Sequence, residues 1–115
     1  MDDKKIEVRE EEKGLYYYIK VEGYFSSINI LAVRKRLEQA LSLGHSKIAL
    51  DLSGIQFIDS MGLGLMINFC KKIKDAGGIF YIVNPSPAVS NIINVSGSAR
   101  VLEIRAGVID FNSLF

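Results

Sequence analysis

The chain alternates between short apolar runs and longer stretches in which apolar residues recur at helical spacing. Residues 15–21 alternate side chains with the period of two that is typical of a β-strand. Residues 26–43 repeat apolar positions with the period of an amphipathic helix. The predicted strands are 6–12, 15–21, 47–52, 79–83 and 101–105, and a strand-like apolar run at 55–58 follows a predicted turn at Ser53-Gly54. The predicted helices are 26–43, 60–76 and one that starts at Ser86-Pro87 and closes at Gly97.

Turn and capping residues mark the ends of these elements. Gly14 allows a tight turn between the first two strands, since glycine adopts positive φ without strain. Ser26 or Ser27 is placed to cap the first helix. Ser86 followed by Pro87 supplies an N-cap and a proline at the first helical position. These signals support the boundaries that the hydrophobic pattern predicts.

The predicted order of elements is β-β-α-β-α-β-α-β. Strand-helix-strand units with short links imply parallel pairing and right-handed crossovers, whereas the opening hairpin is antiparallel. The sequence therefore predicts the α/β class, with one mixed, mostly parallel sheet and helices packed on it. We expect residues 1–115 to form a single domain, because this length is sufficient for one core.

The charge of the chain is balanced, with 14 basic and 13 acidic side chains and a net charge of +1. Neither sign accumulates enough to attract nucleic acid or an anionic membrane, so no direct nucleic-acid partner is predicted. The single cysteine cannot form an internal disulfide. No apolar run reaches the roughly 18 residues of a membrane span, and no signal peptide is evident. We expect a cytoplasmic protein.

A lone serine, Ser60, stands where an apolar strand ends and a helix pattern begins. A serine hydrolase would need a base close to it, and His45 is the only histidine, in a loop before a strand. A nucleophile elbow would also need glycine at the position of Ile58. The sequence therefore gives no support to triad catalysis.

Other site chemistries are also unsupported by the sequence. Gly62 and Gly64 lack both the Gly-Lys-Ser/Thr end of a phosphate loop and the third glycine of a dinucleotide fingerprint, where Ile67 stands. One histidine and one cysteine far apart do not predict a metal site. Asp59 lacks the acidic pair that a phosphoryl-accepting receiver uses to hold Mg²⁺. We predict no cofactor, no metal and no enzymatic activity.

Two interpretations of Ser60 remain open from the residues alone. Asp59 or Ser60 is simply a helix cap, since both residue types are favoured there. Alternatively, Ser60 is an exposed switch beside Met61 and Leu65, which helical spacing places together on the outer side. Phosphorylation would add about −1.5 to −2 charges there. A helix N-terminus tolerates this charge, so binding would change while the fold would survive.

Residues 51–64, DLSGIQFIDSMGLG, resemble the signature of bacterial anti-sigma factor antagonists, which are STAS domains. The family pattern is an apolar strand, an Asp-Ser pair and then Gly-Leu-Gly, which Asp59, Ser60, Gly62 and Gly64 match. The order of elements fits over essentially the whole chain. Two positions depart from the pattern: Met61 replaces a frequent serine or threonine, and the acid that often follows the second strand is absent.

The resemblance implies a binding module that acts by partner switching. Ser60 matches the serine that an anti-sigma factor serine kinase phosphorylates, and a serine phosphatase would reset the protein. The unphosphorylated form would bind the kinase and so regulate transcription indirectly. As an alternative, the same fold would serve as a non-phosphorylated scaffold subunit of a lipid transporter or a stress-signalling complex. The predicted partner-binding residues are Ser26, Ser27, Asp59, Met61, Gly62, Gly64, Leu65 and Asn68.

Overall fold

The computed structural model describes residues 5–110. Residues 1–4 and 111–115, which the sequence assigns to the same domain, lie outside this described range. In chain order the elements are β1 (Ile6–Lys13), β2 (Tyr16–Phe25), α1 (Ile30–Ser42), β3 (Lys47–Ile58), α2 (Ser60–Asp75), β4 (Ile79–Val83), α3 (Pro87–Ser96), a short 3-10 helix (Ser98–Arg100) and β5 (Glu103–Arg105).

The five strands form one sheet in the order β1-β2-β3-β4-β5. β1 pairs antiparallel with β2, and the remaining neighbours are parallel. Each crossover therefore moves one strand along in the same direction, and right-handed crossovers then place the helices on one face of the sheet. The predicted α/β class and the mixed, mostly parallel sheet are confirmed.

The main core lies between the sheet and the three helices. Its central strand residues are aliphatic and fully buried, and each helix contributes the apolar stripe that its spacing predicts. Fully buried members of this core include Ile19, Val21, Leu50, Leu52 and Ile82 from the strands, and Val33, Leu37, Met66 and Val89 from the helices. A smaller cluster on the opposite face of the sheet contains Tyr16, Ala49 and Val83.

The start of α1 differs from the prediction. The helix begins at Ile30, and its N-cap is Asn29, which makes no side-chain capping hydrogen bond. The chain turns first, because the Asn29 N–H donates to the Ser26 carbonyl at 2.9 Å. The predicted cap at Ser26 or Ser27 is therefore wrong. Leu15 also lies outside its predicted strand, in the turn before β2, where it is 79% exposed.

β3 is a single strand, whereas the sequence predicted a turn at Ser53-Gly54. Its pairing with β4 ends at Asp51, while pairing with β2 continues to Ile58 through two register shifts. Gly54 permits this continuation, since a Cβ there would stand 2.7 Å from the Cγ of Glu22. β3 therefore extends beyond the end of its pairing with β4, and Asp59 lies beside the end of β2.

Candidate functional site

Helix α2 begins at Ser60 because Asp59 caps it. Asp59 has extended backbone angles (φ −112°, ψ −175°), and its Oδ1 accepts hydrogen bonds from the N–H groups of Met61 at 3.0 Å and Gly62 at 3.1 Å. These donors are among the first-turn N–H groups that have no partner inside a helix. The capping role that the sequence left open between two residues thus belongs to Asp59.

The same carboxylate also fixes the loop before α1. Its Oδ2 accepts a hydrogen bond from the Ser27 N–H at 3.0 Å. Burial would raise the pKa of Asp59, but hydrogen bonds donated by Ser27, Gly62 and Met61 outweigh this effect and lower the pKa below its ordinary value. The charged Asp59 carboxylate therefore links the β2–α1 loop to the start of α2 through hydrogen bonds.

Gly62 lets α2 approach the end of β2 closely. A Cβ at this position would lie 2.5 Å from the carbonyl oxygen of Phe25 and 3.1 Å from Cγ1 of Ile58. Real side chains do not tolerate such contacts, so only glycine fits without a shift of the backbone. Gly64 differs, because a Cβ there would meet nothing within 4 Å.

Ser60 is exposed at the first position of α2. Since Asp59 takes the first-turn donors, the Ser60 hydroxyl has no capping role, and no hydrogen bond of this hydroxyl is present among residues 5–110. Met61 beside it is 52% exposed. The structure therefore presents a serine hydroxyl at the surface, next to a flexible apolar side chain.

The predicted partner-binding residues divide into a surface group and a buried group. Ser27, Met61 and Asn68 are exposed, and Asp59 and Gly64 are half-buried. The prediction that Leu65 extends an exposed patch is wrong, because Leu65 is only 3% exposed and packs in the same core as Ile30 and Val33 of α1. Ser26 and Gly62 are buried as well, so they support the site from beneath.

Two apolar residues that the prediction did not include stand beside the Ser27 loop. Ile28 is 72% exposed and Leu31 is 61% exposed. The signal was present in the sequence, because Leu31 is one residue, or about 100°, away from the inward stripe that starts at Ile30. We call Ser27, Ile28, Leu31, Ser60 and Met61 the α1–α2 surface.

A second apolar group lies at the end of β3. The rings of Tyr24 and Phe57 stack with centroids 5.4 Å apart, and Phe57 is 45% exposed. Phe57 also lines a groove of about 310 Å³ between the end of β3 and α3, with Ile92 and the 80% exposed Val95 on its other side. Exposed apolar residues gathered in one patch are typical of protein-binding surfaces.

The described residues can be compared with the requirements of a metal site and of a membrane-spanning helix. No group of three His, Cys, Asp or Glu side chains within residues 5–110 could hold a metal ion. In the same range no helix has the length and apolar content needed to cross a bilayer. His45, the only histidine, stacks on Tyr17 with ring centroids 4.0 Å apart. It belongs to the opposite end of β3 from Ser60.

Comparisons with known proteins agree with this geometry. The STAS domain model matches residues 5–110. The anti-sigma F factor antagonist of Paenibacillus polymyxa is 30% identical over 73 residues, which cover 63% of this chain and 62% of that protein. Two candidate anti-sigma factor antagonists, from Thermotoga neapolitana and Thermotoga maritima, are 33% and 34% identical over 67 residues, and the chain spans 59% of their length.

Solved structures share the fold at lower identity. An anti-sigma factor antagonist from Mycobacterium paratuberculosis superposes with a TM-score of 0.83 at 18% identity, covering 90% of this chain and 88% of the other. The anti-sigma factor antagonist SpoIIAA in its unphosphorylated form gives a TM-score of 0.72 at 20% identity, covering 88% and 90%. The family match spans the sheet, the three helices and the Asp59–Ser60 junction. This chain belongs to the STAS domain family.

Proposed function

We propose that this protein is an anti-sigma factor antagonist. In this proposal its unphosphorylated form binds an anti-sigma factor serine kinase, and phosphorylation of Ser60 by that kinase ends the complex. A serine phosphatase restores the binding form, so the protein regulates transcription indirectly, acts in the cytoplasm and is not itself an enzyme. Support comes from the family, and from relatives that are named anti-sigma factor antagonists.

The main support for the proposal is that Asp59 caps α2 while Ser60 is exposed and has no part in the cap. The Asp59 carboxylate already accepts the hydrogen bonds that begin α2, so the exposed Ser60 hydroxyl can be modified without loss of the cap. Related structures are described for the phosphorylated as well as the unphosphorylated form of SpoIIAA, which is compatible with a fold that survives the modification.

A phosphate on Ser60 would change the charge of the α1–α2 surface. It adds about −1.5 to −2 charges next to the Asp59 carboxylate. The N–H groups of Met61 and Gly62 already donate to Asp59, so they are not free to neutralise the new group. The phosphate would therefore stay at the surface, where it opposes any partner that packs on Ile28, Leu31 and Met61.

The apolar side chains of the α1–α2 surface are suited to this partner contact. Ile28, Leu31 and Met61 are all more than half exposed. The Ser27 N–H beside Ile28 donates a hydrogen bond to Asp59, two residues before Met61. Interfaces of this kind have an apolar centre that excludes water and a polar rim. A dianion at Ser60 beside that centre would carry a desolvation cost in the complex.

Phosphorylation itself is tested by incubating the protein with each candidate anti-sigma kinase and ATP. We expect one phosphate, located at Ser60 by mass spectrometry, and its removal by a serine phosphatase. Ser60→Ala should abolish labelling, whereas Ser27→Ala, at the neighbouring exposed serine, should keep it. Labelling of Ser27 instead, or of neither serine by any kinase, would show that Ser60 is not the switch.

Kinase binding is tested with two variants at Ser60 that distinguish the effect of side-chain charge from that of side-chain size. Ser60→Asp should weaken kinase binding by at least about tenfold, whereas the neutral Ser60→Asn of similar size should weaken it much less. Leu31→Ala should also weaken binding, with Leu43→Ala as its matched control, since Leu43 is 66% exposed at the other end of α1. Equal binding by Ser60→Asp and the parent protein would refute the switch.

The scaffold alternative keeps the fold without the switch. A STAS-like region of the murine anion transporter Slc26a9 superposes with a TM-score of 0.67 at 18% identity, over 85% of this chain and 17% of the transporter. If this alternative holds, a partner will bind Ser60→Asp and parent protein equally, and no kinase will label Ser60. The two experiments above therefore distinguish the alternatives.

A further inference from the structure

The two edges of the sheet differ in length. β5 has three residues, whereas β1 has eight, pairs with β2 without a register shift and contains no proline. A long regular edge strand is a template for pairing with another strand unless its side chains oppose it. The exposed side chains on one face of β1, those of Glu7, Arg9 and Glu11, are charged and alternate in sign, so they influence which strand can pair there.

The direction of the free backbone groups of β1 follows from one hydrogen bond. The Tyr24 N–H donates to the Lys5 carbonyl at 2.8 Å, so residues 5 and 24 form a hydrogen-bonded pair. Hydrogen-bonded and non-hydrogen-bonded pairs alternate along an antiparallel ladder. Ile6, Val8 and Glu10 therefore direct their backbone N–H and C=O groups away from β2, toward the edge at which no other strand of residues 5–110 pairs.

The side chains of β1 follow the same alternation. Glu7, Arg9 and Glu11 are exposed on the helix-free face, where Arg9 Nη2 lies 2.9 Å from Glu22 Oε1. Ile6 and Val8 are half-buried and pack against the main core. A second strand therefore meets a charged row on one face, and Ile6 and Val8 followed by half-buried Glu10 on the other.

A second copy of β1, aligned antiparallel about Val8, matches the charged row, and on the other face it places Val8 opposite Val8 and Ile6 opposite Glu10. In this register Val8 opposes Val8, and their outward N–H and C=O groups face each other. Glu7 opposes Arg9 of the second copy, and Arg9 opposes its Glu7. Lys5 opposes Glu11 in the same symmetric way. All the charged pairs on the helix-free face are then of opposite sign, which stabilises cross-strand pairs.

Neighbouring registers that also match the backbone groups are less favourable. Sliding the second strand by two residues places Arg9 opposite Arg9, or Glu7 opposite Glu7 when the slide is reversed. Sliding it by four residues toward the C-terminus places half-buried Glu10 opposite Glu10. Like charges directly opposite one another are destabilising. The charge order of β1 thus disfavours these three alternative registers.

We propose that two copies of this protein associate through β1, antiparallel about Val8, to form a continuous sheet across a two-fold axis. The interface is isologous, so each contact occurs twice. Alternating charges favour a second copy in this register, because every charged pair on the helix-free face is of opposite sign. The proposal is independent of phosphorylation at Ser60 and of the identity of the kinase.

Sedimentation equilibrium of the full chain tests this association. We expect a concentration-dependent dimer that added salt weakens, because the exposed charge pairs are screened. Glu7→Arg alone and Arg9→Glu alone should each weaken the dimer by about tenfold or more, since each converts the paired rows to like charges. An equal mixture of the two variants should restore association, because each opposite-sign pair reforms between the different chains.

Val8→Pro supplies a variant that leaves the charges unchanged. Proline at this position removes an N–H that faces the open edge and keeps every hydrogen bond to β2, so the fold should persist by circular dichroism while the dimer is lost. A monomer at all concentrations would overturn the proposal. If the mixture of Glu7→Arg and Arg9→Glu stays monomeric, this register is refuted. If the parent protein is itself monomeric and the two variants lose kinase binding, the β1 edge binds another partner instead of a second copy.

Discussion

Helices α2 and α3 both begin at the ends of parallel strands, and both carry a serine there, but the two serines have different roles. Before α3, Ser86 is 5% exposed, and its Oγ accepts a hydrogen bond from the Val89 N–H at 3.3 Å. Before α2, Asp59 supplies the cap and Ser60 is exposed one position later. Ser86 is a structural residue, whereas Ser60 is available to another protein.

The comparison shows when a serine at a strand-to-helix junction indicates function. Serine and aspartate are equally suitable caps, so serine alone gives no information about binding. When an acidic residue precedes the serine and takes the helix donors, the hydroxyl becomes redundant for folding. Pro87 after Ser86 strengthens the structural role of that serine, since proline at the first position favours the helix start.

The packing beneath α2 gives the largest expected effect. Gly62→Ala should destabilise the protein by about 3 kcal/mol, because the new Cβ would lie 2.5 Å from the Phe25 carbonyl oxygen. Gly64→Ala, two residues later in open space, should instead stabilise it by about 0.5–1 kcal/mol. Urea unfolding of both variants measures the difference. Similar midpoints for the two variants would show that α2 does not pack as closely on β2 as described.

Loss of the α2 cap ranks second. Asp59→Ala should lower the free energy of unfolding by about 2 kcal/mol, because it leaves the N–H groups of Ser27, Met61 and Gly62 without their acceptor. Thermal unfolding measures this loss, and Ser60→Ala is the control at the adjacent position. An Asp59→Ala variant as stable as the parent would mean that Ser60 can replace the cap.

The two serines themselves should differ by about 1 kcal/mol. Ser86→Ala should destabilise the protein by that amount, since the Val89 N–H loses its side-chain acceptor in a buried site. Ser60→Ala should change stability by less than about 0.5 kcal/mol. Parallel denaturant titrations compare them. If Ser60→Ala is the more destabilising of the two, the assignment of structural and functional roles is reversed.

Much of the fold was predictable from local signals. The period of apolar residues identified all five strands and three helices, and Ser86 with Pro87 marked the start of α3 correctly. Residues 51–64 identified the family, which the match over residues 5–110 confirms. These signals are reliable because turn chemistry and amphipathic spacing act within a few residues of each other.

The errors arose where distant packing decides the outcome. Leu65 lies outside the inward stripe of α2, yet α1 covers it, so one helical wheel could not reveal its burial. β3 continues past Gly54 because β2 pairs with it there, despite a local turn signal. The α1 start moved to Ile30 because Asp59 holds the Ser27 N–H, 32 residues away in sequence.

The acid end of the stability profile gives the smallest effect and the most specific test of the Asp59 cap. The pKa of Asp59 is lower in the folded protein than its ordinary value of 3.8, because Ser27, Gly62 and Met61 donate hydrogen bonds to the charged form and outweigh burial. The unfolded chain therefore binds the proton first as the pH falls, and the stability from this carboxylate, present above about pH 4, is lost as the pH falls through the folded pKa. In Asp59→Asn this loss should be absent, so the stability of this variant should approach that of the parent protein in acid.

Denaturant unfolding between pH 7 and pH 2.5 measures the convergence of the two stabilities, and carbon-detected NMR of the Asp59 carboxyl measures the pKa directly. A constant difference between the two proteins across this range would show that the charge of Asp59 does not contribute to holding the start of α2.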